Sequence, residues 1–158
     1  MKNVLVTRID DRLIHGQVVT AWIKDYPINK ILIADDELSQ NKLMGRIYRA
    51  AAPMGVEVVL MNVNDSIQLL HENQLKGENY MVLAKTPEVI EKIIESGFVT
   101  NKIILGGMGA TEKRKRFNRN VSASESEIET FRRIISKNIK IVYQLVPSDR
   151  EVDIKDLL

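Results

Sequence analysis

The chain has 158 residues, a formal net charge of +2, and 44% hydrophobic and 28% charged residues, a balance typical of globular proteins that bury about two thirds of their unfolded surface without cross-links. It contains no cysteine, which excludes a disulfide frame, a thiolate zinc site, an iron–sulfur cluster and a cysteine nucleophile, and which suits a reducing cytoplasm. The opening MKNVLVTRID lacks the apolar core of a signal peptide, and no run approaches the roughly 18 apolar residues of a membrane span, so the expectation is a soluble chain forming a single domain over residues 1–158.

Apolar runs alternate with helical patterns along the whole chain. Lys2 to Ile9 predicts a strand, and His15 to Tyr26 a helix with Val18, Trp22 and Tyr26 at i, i+4, i+8. Lys30 to Ala34 predicts a second strand, and a helix follows from about Ser39, a candidate cap, to Ala52, stopping before Pro53. Val56 to Met61 is a third strand, and Asn64 or Asp65 opens a helix that runs to about Asn73. Tyr80 to Ala84 is a fourth strand; the next helix has Thr86 as cap, Pro87 at its first position, and ends at Gly97. Lys102 to Leu105 is a fifth strand, and a helix from about Ser124 to Lys137 leads to a sixth, Lys140 to Val146.

Strands of nearly continuous Val, Ile and Leu are buried on both faces, and amphipathic helices between them supply the cover. The expected fold is therefore α/β, a three-layer α/β/α sandwich around a mainly parallel sheet of about six strands. Ligands in such sheets bind beyond the carboxyl ends of the strands, near a switch in strand order. Attention falls first on RIDDRLIHG, at the exit of the first strand.

The protein has only two histidines, and one of them, His15, stands there at the start of a helix. A helix N-terminus offers unpaired N–H groups and partial positive charge, a ready cradle for phosphate. Gly16 removes bulk beside the imidazole, while Arg8 and Arg12 offer planar arrays of donors to oxyanions. Asp10 or Asp11 is suited to accept from one ring nitrogen and leave the other as nucleophile. An ordinary imidazole is substantially neutral near pH 7 and attacks without a separate base. The parts suit a histidine that carries a phosphoryl group, although residue types alone also admit a packed helix start with surface ion pairs.

Residues 8–18, RIDDRLIHGQV, resemble the phosphorylation-site motif of the cytoplasmic IIB component in the mannose/fructose/sorbose class of the bacterial phosphoenolpyruvate-dependent sugar phosphotransferase system. KILIADDE, YMVLAKTPE, IILGGMG, NVSASESEIETFRR and LVPSDREVDIKDLL resemble the family's pattern in the same order, so the likeness spans nearly the whole chain. The resemblance implies that His15 is the phosphoacceptor, usually modified at Nδ1, with Arg8, Asp10, Arg12, Gly16 and Gln17 in the matching loop. It implies a phosphorylated IIA domain or protein as donor, and transfer to a sugar imported by the membrane components IIC and IID. That places the chain in the cytoplasm, at the inner face of the plasma membrane. No cofactor and no metal is implied. Many relatives carry a longer side chain, often His, where this chain has Gly109, and the basic run at 113–116 is denser than in many of them.

The remaining motifs are weaker. GGMGA at 106–110 lacks the G-x-G-x-x-G pattern of a dinucleotide loop; it reads as a turn that lets Gly107 backbone approach the phosphohistidine, or as a purely structural turn. Asp35 and Asp36 read as loop caps rather than cation ligands. Ser148 and Asp149 either reach the active rim or only mark a turn, His71 reads as surface, and Trp22 as core. Lys113, Arg114, Lys115, Arg116 and Arg119 form a local basic patch suited to steering an acidic or phosphorylated partner; a single patch with one nearby aromatic is a poor case for nucleic acid. Two other classes stand beside it: a regulatory module read by its phosphorylation state, and a phosphohistidine hydrolase resembling the phosphoglycerate mutase group, which needs an Arg-His-Gly motif and a second catalytic histidine, whereas here Ile14 precedes His15 and His71 is badly placed. The sugar and the oligomeric state, a homodimer included, are not encoded legibly.

Overall fold

The computed structural model describes every residue from Met1 to Leu158. Nine strands and five helices follow one another: β1 Val4–Asp10, α1 Gly16–Asp25, β2 Lys30–Ala34, α2 Lys42–Ala51, β3 Glu57–Met61, α3 Val63–His71, β4 Tyr80–Ala84, α4 Pro87–Glu95, β5 Lys102–Gly107, β6 Lys115–Asn118, β7 Val121–Ala123, α5 Glu125–Ser136, β8 Lys140–Tyr143 and β9 Val152–Asp153. The main sheet has seven strands in the order β3-β2-β4-β1-β5-β8-β9, one more than expected; β6 and β7 form a separate hairpin. All neighbours in the main sheet run parallel except β9, which pairs antiparallel with β8 and covers that edge.

The inner strands are buried on both faces because both faces carry helices. Val19 and Trp22 of α1 and Tyr48 of α2 pack on one side with Ile31, Ile33, Met81 and Leu83. Leu70 of α3, Ile90 and Ile93 of α4, and Phe131 and Ile134 of α5 pack on the other with Ile9, Leu32, Val82 and Leu105. Each buried aliphatic side chain contributes about 1.5–3 kcal/mol of transfer free energy, so the two cores are the main source of stability. None of the helices is long and apolar enough to cross a membrane.

The central β1 leads into α1 on one face, whereas its neighbours β4 and β5 lead to α4 and α5 on the other. Connections that part in this way open a crevice at the carboxyl end of β1. That is where residues 10–16 lie.

Candidate functional site

The β1–α1 loop is shaped from within. Leu13 sits at φ +56°, an uncommon conformation for a branched side chain, held by its N–H donating to the Asp10 carbonyl at 3.0 Å and by burial of its side chain in the core. Gly16 follows at φ +46° with open space around it. Between them His15 caps α1 in an extended conformation, without a side-chain cap bond, and the first turn of the helix contains no acidic residue. Its leading N–H groups and positive dipole end are therefore left uncompensated by any side chain of the helix itself.

Asp10 is the hub. It is 0% exposed, yet surrounded by donors. Oδ2 accepts from Arg8 Nη2 at 3.1 Å and Arg12 Nη2 at 3.2 Å; Oδ1 accepts from the backbone N–H and Nε of Arg12, both at 3.1 Å. Burial alone would raise the Asp10 pKa, but the hydrogen bonds from Arg12 and the charge of Arg8 outweigh it, and the carboxyl is held below its ordinary value. It is therefore ionised at neutral pH and can only accept. His15 Nε2 lies 3.2 Å from the same Oδ2, so it must carry the proton that is shared. The Nδ1 lone pair is then free, on a side chain 23% exposed.

Arg8 does not occupy the place expected of it. Expected among the donors to phosphate, it is 1% exposed. Its Nη1 donates to the Gln144 carbonyl at 2.9 Å, its Nη2 is spent on Asp10, and its guanidinium lies 5.5 Å from the centroid of the Trp22 ring. Burial presses its pKa down against the opposing pull of Asp10. A guanidinium enclosed in this way positions the carboxylate and does not reach a ligand. The enclosure depends on Gly106: the β1–β5 register skips from Ile9↔Leu105 to Asp10↔Gly107, leaving Gly106 as a bulge. A Cβ there would lie 2.0 Å from Arg8 Nη2 and 2.7 Å from Asp10 Oδ2.

Arg12, by contrast, is 42% exposed. It lines a cleft of about 470 Å³ together with Gly107, Arg116, Arg119, Asn120 and Ser122, and shares Asp10 Oδ2 with His15. Gly107 accepts from the Asp11 N–H at 3.0 Å, and a Cβ on it would meet Arg12 Nη2 at 2.7 Å. Gln17 is exposed in the first turn of α1.

Two partners lie too far away in sequence to be read from the loop itself. Gln144 fixes Arg8 from across the fold, and Arg114 leaves the basic patch to bind Glu127 at 2.9 and 2.8 Å, the Gly109 carbonyl at 3.0 Å and Asp11 at 3.4 Å. Asp11 in turn accepts from the Gly109 N–H at 2.6 Å, so Gly109 serves through its backbone. Other expectations are met as they stood: Trp22 is buried, His71 is exposed, and Asp35 and Asp36 accept from Leu38 and Val63 N–H at 2.8 Å as loop caps.

Comparison with known proteins defines the class. Residues 4–158 match the family described as the PTS system sorbose subfamily IIB component. The chain is 30% identical to the fructose-specific EIIB component of Bacillus subtilis (strain 168), over all of this chain and 97% of that one. It is equally identical to the mannose-specific EIIAB component of Escherichia coli (strain K12) over 97% of this chain, but spans only 47% of that longer protein. The IIBSor domain of the Klebsiella pneumoniae sorbose permease superposes with a TM-score of 0.93 at 29% identity, covering 98% of this chain and 94% of that one. The chain belongs to the sorbose-subfamily IIB components of the sugar phosphotransferase system. Members of this family are phosphotransferase domains that work with IIA and with membrane IIC and IID components.

Proposed function

We propose that this chain is a cytoplasmic phosphoryl relay at the inner face of the plasma membrane, in which His15 takes phosphate from phosphohistidine on IIA and passes it to a sugar imported through IIC and IID. The observation that carries the reading is the ionised Asp10 against His15 Nε2, which leaves Nδ1 as the nucleophilic nitrogen at an uncapped helix start.

In the first step the Nδ1 lone pair attacks phosphorus in line, the donor's P–N bond breaks, and the donor imidazole leaves. His15 keeps its Nε2 proton, so the phosphorylated ring is cationic and rests against the Asp10 carboxylate. The exposed face of Arg12 and the first amides of α1, at Gly16 and Gln17, are placed to share the charge of the transferring group, with Gly107 backbone at the far side of Arg12. In the second step a sugar hydroxyl attacks phosphorus, the P–N bond breaks, the electron pair returns to Nδ1, and the hydroxyl proton is lost to solvent. A relay must not trap its cargo: each ~1.4 kcal/mol of ground-state binding not gained in the transition state slows departure about tenfold. A partly exposed imidazole beside one exposed arginine meets that demand better than an enclosed pocket.

The test is phosphorylation from phosphoenolpyruvate through the general relay proteins and a matching IIA, with the acid-labile phosphate mapped by mass spectrometry. His15→Ala is expected to abolish labelling; labelling retained on His71 would overturn the assignment. Arg12→Ala is expected to slow transfer about 10- to 100-fold, the loss of one or two charge-assisted hydrogen bonds to the transferring group, with the fold retained at a lowered melting temperature because buried Asp10 loses two donors. An unchanged rate would remove Arg12 from the site.

A further inference from the structure

A second cavity, of about 510 Å³, opens between the β6–β7 turn and the exit of β8, and His15 takes no part in it. Its polar lining is Asn118, Arg119, Asn120, Tyr143, Asp149 and Arg150. Donors dominate. Neither Arg119 nor Arg150 has a carboxylate within ion-pair distance. Asn118 Nδ2 is the one buried side-chain polar atom of the protein with no hydrogen-bond partner. A buried donor left unmade is a standing cost to the fold at this wall of the cavity.

The walls are built rather than loose. Gln144 Nε2 donates to the carbonyls of Pro147 at 3.1 Å and Asp149 at 3.0 Å, Arg8 grips the Gln144 carbonyl, and Trp22 Nε1 donates to the Leu145 carbonyl at 2.9 Å. On the opposite side Asn120 Nδ2 donates to the Tyr143 hydroxyl at 3.2 Å, which leaves the phenolic proton to be given to a ligand. Asp149 uses Oδ2 on the Val146 N–H at 3.3 Å and has Oδ1 left to accept from a hydroxyl.

We propose that this cavity is a second binding site, for a phosphate monoester carried on a small hydroxylated body such as a hexose. Two guanidiniums against one carboxylate favour a dianion, and Tyr143 and Asp149 match hydroxyl groups, one giving and one accepting. The volume exceeds what one oxyanion fills, so a sugar-sized remainder is accommodated. Arg119 and Asn120 also line the cleft beside Arg12, so an occupant would sit one residue wall away from the histidine loop. The site stands independently of the relay reading, because binding requires neither His15 nor a partner protein.

The experiment titrates the full, unphosphorylated ¹⁵N-labelled chain with glucose 6-phosphate, and in separate arms with inorganic phosphate and with glucose. The Asn118 side-chain amide and the Nε–H groups of Arg119 and Arg150 are followed by NMR. Saturable shifts at these groups are expected with glucose 6-phosphate and none with glucose. Arg150→Gln, at an exposed position, is expected to weaken binding about tenfold, equivalent to one charge-assisted hydrogen bond, whereas Arg12→Gln leaves it within about twofold. Absence of saturable shifts, or binding that survives Arg150→Gln and is lost in Arg12→Gln, overturns the proposal. Inorganic phosphate binding as tightly as the sugar phosphate would uphold an oxyanion site and overturn the hexose.

Discussion

Single residues decide how the charge at the strand exit is arranged. Two guanidiniums around one carboxylate would be a poor way to stabilise a core, since a buried ion pair seldom recovers its full desolvation cost; here, with His15 as a further donor, the arrangement fixes a tautomer. The identity of His15, Asp10 and Arg12 as a group was legible in the sequence because they lie within one loop and need no knowledge of the rest of the fold. The burial of Arg8 was not, because it depends on a hole made by Gly106 and on a carbonyl 136 positions away. Adjacent glycines should consequently respond differently to the same change. Gly106→Ala forces a methyl into the enclosed Arg8–Asp10 pair and is expected to cost about 1–3 kcal/mol of stability, the usual price of overpacking, seen as a lower denaturation midpoint. Gly107→Ala meets only the half-exposed Arg12, which can swing aside; the midpoint should hardly move while phosphoryl transfer slows.

At the level of elements, periodicity placed every helix and the six long strands, and erred where short polar chemistry governs. The cap of α2 is Asn41, whose side chain accepts from the Met44 N–H at 3.0 Å, because residues 38–40 are taken into a separate 3-10 turn. Asn62 rather than Asn64 or Asp65 caps α3, accepting from the Asp65 N–H at 2.7 Å. The β6–β7 hairpin escaped notice because KRFNRNVSA carries charge where a strand pattern needs alternation, and β9 has only two residues. The start of α5 shows what a cap can do beyond its own helix. Ser124 and Glu127 form a reciprocal capping box, and Arg114 closes on the same Glu127, so the helix end, the hairpin and the Asp11 side of the active loop share one fastening. Ser124→Ala is expected to lower stability by about 1 kcal/mol, measured by urea unfolding; a neutral result would show that Arg114 alone holds Glu127.

For the whole molecule, two depressed carboxyls predict how stability follows pH. Asp10 and Glu127 are both held below their ordinary values, in each case because hydrogen bonds and charge from arginine outweigh burial. The unfolded chain takes up protons at these positions first as pH falls, so their contribution is present at neutral pH, declines below the ordinary carboxyl range near about 4, and is gone once the native groups protonate. Melting temperature should therefore fall steeply between about pH 5 and about pH 3, and Glu127→Gln should fall less over that interval from a lower starting value. A parallel slope in the variant would show that Glu127 is not a contributor.

On the proposed relay, the contact between Asp10 and Nε2 also governs how a phosphorylated form would be recognised. Of the two regioisomers available to phosphohistidine, only the one substituted at the nitrogen nearer the backbone is compatible with that contact. Antibodies raised against the other isomer should fail to detect the loaded protein, and a reagent selective for the nearer one should report its occupancy in cell extracts without purification.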